Sequence, residues 1–191
     1  MNSEKFGKAK DMTLGGFGLK ETELFKDMEI EGHLIATLNH NDGRVEVRDL
    51  GKNIITTAAS VLLARLIKDN MEPAHGAFGL AVGTGNIGWN PLLPPAATAA
   101  QTVLENELFR KTFQSVNFIN GVVISASPTN VLDLTTFFTE AEAVGGLVEM
   151  GLVGGDATLV AGTGTLINYR TFPVINKPNT ATLTITWRLT F

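Results

Sequence analysis

The most regular hydrophobic pattern in the chain is its last. From 181 to 191, Leu183, Ile185, Trp187, Leu189 and Phe191 alternate with Thr182, Thr184, Thr186, Arg188 and Thr190. A period of two puts the apolar set on one face of a strand, and β-branched threonine suits the other face. The same period appears near the start of the patterned region. Leu34, Ala36 and Leu38 alternate with Ile35, Thr37 and Asn39, and Asn41-Asp42-Gly43 forms a turn. Val45 and Val47 then alternate with Glu46 and Arg48, which completes a predicted hairpin. Further strands are predicted from Phe78 through Leu80 and Val82, and over 109–118, 122–126, 131–138, 147–153, 159–161 and 166–172.

One stretch changes period. Ala58, Ala59, Val61, Leu62, Leu66 and Ile67 follow helical spacing behind Thr56 and Thr57, either of which can cap a helix. Pro73 limits its continuation, so the helix is predicted over about residues 56–69. A second short helix or turn is expected over 102–108. Gly83 to Pro95 reads as a loop rich in Gly, Asn and Pro, with Trp89 and Leu92-Leu93 inside it. The resulting expectation is a mainly β fold: an antiparallel β-sandwich of eight to ten short strands, with one main helix at a sheet edge or end.

Residues 1–30 lack either period. They hold five lysines, six acids and three spaced phenylalanines, Phe6, Phe17 and Phe25. An extended N-terminal arm is expected here, lying across a neighbouring subunit with the phenylalanines as anchors. Residues 31–191 then make one domain, helix included. Trp89 joins the candidate interface residues because it stands in a turn-rich loop.

Composition narrows the function classes. The chain has 191 residues, 15 Lys and Arg against 19 Asp and Glu, and a formal net charge of −4, which argues against phosphate-backbone binding to nucleic acid. It has no cysteine, so disulfides, thiolate metal sites and cysteine nucleophiles are excluded. No apolar run approaches the ~18–20 residues of a membrane span, and Met1 to Lys10 has no apolar signal-peptide core. Between Lys111 and Arg170 there is no Lys or Arg, only Asp133, Glu140, Glu142, Glu149 and Asp156. So little charge leaves this stretch to core and intermolecular contact.

The candidate chemistry is thin. Gly83-Thr84-Gly85-Asn86-Ile87-Gly88 matches a dinucleotide fingerprint, but Pro91, Pro94 and Pro95 block the helix start that the pyrophosphate needs. The pairs Glu105/Glu107 and Glu140/Glu142 have a spacing that a glycoside hydrolase could use, and also that of solvated acids. His33, His40 and His75 show no metal-ligand spacing. Glu149 stands among Leu147, Val148, Met150, Leu152 and Val153 and needs a partner; Arg110 or Arg170 is expected to form a structural ion pair with it. No catalytic residue, cofactor or metal is expected, and the chain reads as a non-enzyme.

An ordered series of motifs resembles structural proteins of tailed bacteriophages. It comprises Gly51-Lys52-Asn53-Ile54-Ile55-Thr56 before the helix, Leu80-Ala81-Val82-Gly83-Thr84-Gly85, and Leu104-Glu105-Asn106-Glu107-Leu108-Phe109-Arg110. It continues through Phe137-Phe138, Glu142, Glu149-Met150-Gly151-Leu152-Val153, Arg170-Thr171-Phe172 and Lys177 to Ile185-Thr186-Trp187, covering about residues 50–191. The resemblance implies a small β-rich virion component of the tail, collar or baseplate region, assembled in the host cytoplasm. It implies other virion proteins as partners and a homo-oligomer, trimer or hexamer. A head-decoration (cement) protein is the alternative within that class. A glycan-binding receptor-recognition module, with Trp89 as its stacking platform on a host-surface glycan, is the alternative outside it.

Overall fold

The computed structural model describes residues 30–68 and 75–191, so all but Ile30 of the expected arm, Phe6, Phe17 and Phe25 included, lies outside the described residues. The C-terminal alternation forms β11 (Ala181–Thr190), in which every second residue is buried, Trp187 completely. β11 lies inside a six-stranded antiparallel sheet, between β1 (Glu31–His40) and β8 (Val131–Phe138). β2 (Val45–Lys52) extends that sheet on one side; β6 (Ser115–Asn120) and β7 (Val123–Ser125) extend it on the other. The second antiparallel sheet has the order β3 (Ile54–Ile55), β10 (Thr165–Lys177), β9 (Gly145–Gly155), β4 (His75–Gly83), β5 (Glu107–Thr112). Among the described residues there is one helix, α1 (Thr57–Lys68). The fold is the expected one: mainly β, two antiparallel sheets and a single helix.

The main core lies between the sheets. Leu34, Leu134, Phe138, Ile185 and Trp187 from one sheet meet Leu80, Val82, Met150, Leu152 and Phe172 from the other. The first hairpin turns at Gly43, whose φ of +87° favours a residue without a Cβ. Its return strand faces opposite to a simple apolar-in pattern. Val45 and Val47 are exposed, while Arg48 turns toward the second sheet and donates from Nη1 to Val174 O at 2.8 Å. That bond ties the edge strand β2 to the second sheet, and a charged side chain on an edge strand also discourages pairing with another chain.

β9 is buried without a break from Leu147 to Gly155 because a second layer covers the outer face of its sheet. That layer is the long connection from β4 to β5. It is held to β10 by the Val174 N–H on Pro91 O (2.8 Å) and the Thr171 hydroxyl on Pro95 O (2.6 Å), and to α1 by the Thr57 N–H on Ala99 O (2.9 Å). Beneath it a smaller cluster forms from Ala81, Leu104, Val153, Leu166 and Tyr169.

Three expectations change. The strand predicted over 109–118 is two strands in different sheets, β5 and β6, separated by Phe113 and Gln114, where the chain crosses from one sheet to the other. The strand predicted over 159–161 is a turn with Leu159 and Val160 exposed; the Thr163 hydroxyl donates to Val160 O at 2.8 Å and accepts from the Thr158 N–H at 3.0 Å. Residues 102–106 form no helix and run irregularly into β5.

Candidate functional site

Glu149 organises the outer face of the second sheet. It sits on β9 opposite Gly83 of β4 and Thr171 of β10. Gly83 is what makes room for it: a Cβ there would come within 2.4 Å of Glu149 Oε1. The side chain is wholly buried, and its carboxylate accepts four hydrogen bonds. Oε1 receives the N–H groups of Gly85 (3.1 Å) and Asn106 (2.8 Å); Oε2 receives the N–H of Glu105 (3.0 Å) and the hydroxyl of Tyr169 (2.6 Å). Both ends of the β4–β5 connection therefore hang on one carboxylate. A buried carboxylate saturated by donors is a structural brace with no lone pair directed to a substrate.

Neither expected arginine pairs with Glu149. Arg110 binds Glu107, three residues away on its own strand, through Nε (2.5 Å) and Nη2 (2.7 Å), with both side chains almost wholly buried. Its Nη1 also donates to Thr158 O (3.0 Å) and Thr163 O (2.9 Å), which fixes the 156–164 turn to β5. Arg170 is the register partner of Met150, a main-core residue, so strand alternation puts it on the opposite face from Glu149. Its Nη2 approaches Gly51, and its Nε is buried with no hydrogen-bond partner.

The paired acids do not converge on a cleft. Glu107 is committed to Arg110; Glu142 accepts from Lys111 Nζ at 2.6 and 2.9 Å and from the Thr139 N–H at 2.9 Å. Burial works to raise the Glu142 carboxyl, but the Lys111 and Thr139 hydrogen bonds and the Lys111 charge hold it below the usual carboxylate range. Gly83-Thr84-Gly85-Asn86-Ile87-Gly88 leads from β4 into irregular chain, without a helix to receive a phosphate. Among the described residues, no three His, Asp or Glu side chains lie together as a metal site, and no helix is long and apolar enough to cross a membrane.

Trp89 is half-buried. Gly85, at φ +67°, has no Cβ, and one would meet the Trp89 ring at 2.5 Å and Val148 at 2.6 Å. The indole is thus laid on the Gly85 backbone and braces its own loop. What the loop offers outward is Ile87, Leu92 and Leu93, all strongly exposed. A second exposed apolar group, which sequence reasoning did not single out, is Val116, Val122, Val123 and Ile124 on the β6–β7 hairpin. This hairpin forms one edge of the six-stranded sheet, and β7 has no partner on its outer side among the described residues. The unbroken run Val122-Val123-Ile124, with no polar alternation, was the available signal.

No protein-family model matches the chain, and no curated protein sequence matches it.

Proposed function

We propose that this chain is a non-enzymatic structural component of a tailed-phage virion, at the tail, collar or baseplate, assembling through its sandwich surfaces and the N-terminal residues 1–30. The observation that best supports the reading is the apolar β6–β7 edge. Val116, Val122, Val123 and Ile124 stand in solvent on a hairpin whose strand β7 has no partner on its outer side among the described residues. Exposed apolar edges are what independent β-domains avoid and what repeated subunit interfaces use. The motif resemblance over about residues 50–191 supplies the virion context, and the commitment of Glu107, Glu142 and Glu149 to internal partners favours it over a hydrolase.

The test is gold-labelled antibody electron microscopy of particles from a lysate that produces the protein. Label at a defined place on the tail, collar or baseplate supports the proposal. Label over the head surface favours the decoration-protein alternative, and unlabelled particles with the protein left soluble overturn the virion role.

A further inference from the structure

Helix α1 is only partly covered. Ala59 and Leu62 are its buried residues, while Leu63 and Ile67 stay exposed, Ile67 at 77%. Between the helix and the ends of β8, β10 and β11 runs an apolar groove of about 560 Å³, with Ile55, Leu63, Ile67, Leu132 and Phe191 in its lining. It opens onto the end of the main core, since Leu134 and Leu189 belong to both.

Two features specify what fills it. The first is chemical. Asn168, fully buried on β10, is part of the lining, and neither its Oδ1 nor its Nδ2 has a hydrogen-bond partner. An adjoining cavity of about 540 Å³ shares Ile30, Ile55 and Ser60 with the groove and is lined by Asn53, whose Nδ2 is also unpartnered. A carboxamide whose NH₂ and carbonyl oxygen are both free matches the C=O and N–H of a peptide main chain, and a hydrocarbon ligand would leave both unmet. The second feature is positional. Ile30 itself lines the groove, so the 29 residues that precede it start from there. They bring Leu24, Phe25 and Met28 closest, and Phe25 lies five residues before Ile30, no more than about 17 Å of extended chain. So short a tether gives a segment of the same molecule a high effective concentration over any competitor in solution.

We infer that in the free chain the groove is filled by residues 24–29 of the same molecule, with Phe25 as the apolar anchor and main-chain groups of the segment meeting the Asn168 carboxamide. The inference concerns the isolated protein, and it holds or fails whatever particle the protein belongs to.

The experiment uses the full chain with the photocrosslinker p-benzoylphenylalanine at position 67, an exposed site whose replacement leaves the core intact. Equal amounts of ¹⁴N- and ¹⁵N-labelled protein are mixed, irradiated, digested and read by mass spectrometry. The expected product joins position 67 to a peptide containing residues 24–29, with a single isotope in both halves. In the same background Phe25→Asp should lower its yield about tenfold, the loss expected when one large apolar anchor no longer enters its pocket. Mixed-isotope products would assign the groove to a second copy and overturn the inference. Cross-links elsewhere in the chain, no cross-link, or an unchanged yield with Phe25→Asp would overturn it as well.

Discussion

The Glu149 carboxyl group is buried with no cation hydrogen-bonded to it among the described residues; four donors, three from the main chain, do the work a counter-ion would do. Glu149→Gln turns an amide NH₂ toward N–H groups that have no lone pair to offer. It should cost about 3 kcal/mol of stability in urea unfolding, against about 1 kcal/mol for Tyr169→Phe, which removes a single neutral donor. Equal midpoints for Glu149→Gln and the parent would refute the brace. Tyr169 gives an independent reading because it is the one tyrosine in the chain. Burial, then the hydrogen bond to Glu149, then the charges of Glu149 and Glu105 push its hydroxyl far above the ordinary value of 10.0. The unfolded chain releases that proton above about pH 10 and the folded chain keeps it, so stability falls as pH rises past this point. Phenolate absorbance should therefore appear only together with loss of the β-sheet circular dichroism signal. A phenolate titration near pH 10 in still-folded protein would contradict the burial and bonding described for this residue.

Helix α1 is held at its start by the residue that precedes it, Thr56. The Thr56 hydroxyl accepts the Ala59 N–H at 3.1 Å and donates to Leu166 O, so one side chain both caps the helix and ties it to β10. Thr56→Ala should cost about 1–2 kcal/mol, at the upper part of the range for N-caps, measured as a shift of the denaturation midpoint. Elements of this kind were legible from sequence because local chemistry decides them: Thr before a helical period, or alternation in β8 and β11 where one face meets the core. The corner at Phe113-Gln114 was not, because strand propensity continues through it while the chain changes sheet. The partner of Glu149 was not legible either. Counting cations near a buried carboxylate finds Arg110 and Arg170, whereas the real partners are main-chain N–H groups brought from 43 to 64 positions away, which no side-chain inventory records. The apolar run at Val122-Val123-Ile124 reads from sequence as a strand, and its exposure follows from lying at the end of the strand order.

For the whole molecule, the subunit interface proposed at that edge is open to a test in solution. A lysine at β7 is the common device against edge pairing. Val123→Lys should thus lower self-association in sedimentation velocity without changing thermal stability appreciably, since Val123 is exposed in the folded chain. Self-association unaffected by the lysine would move the contact to another surface. The strand order also bears on synthesis. β1 and β8 both pair with β11, residue for residue along nearly their full length, from Glu31 with Thr190 to His40 with Ala181, and from Val131 with Thr190 to Phe138 with Leu183. A ribosome makes those two strands long before the one that joins them, and contacts so distant in sequence close slowly. Until residues 181–190 emerge, the six-stranded sheet stays as two separate halves with their inner edges bare. A prematurely terminated product lacks the keystone of that sheet, so only chains read through to this point can join its two halves.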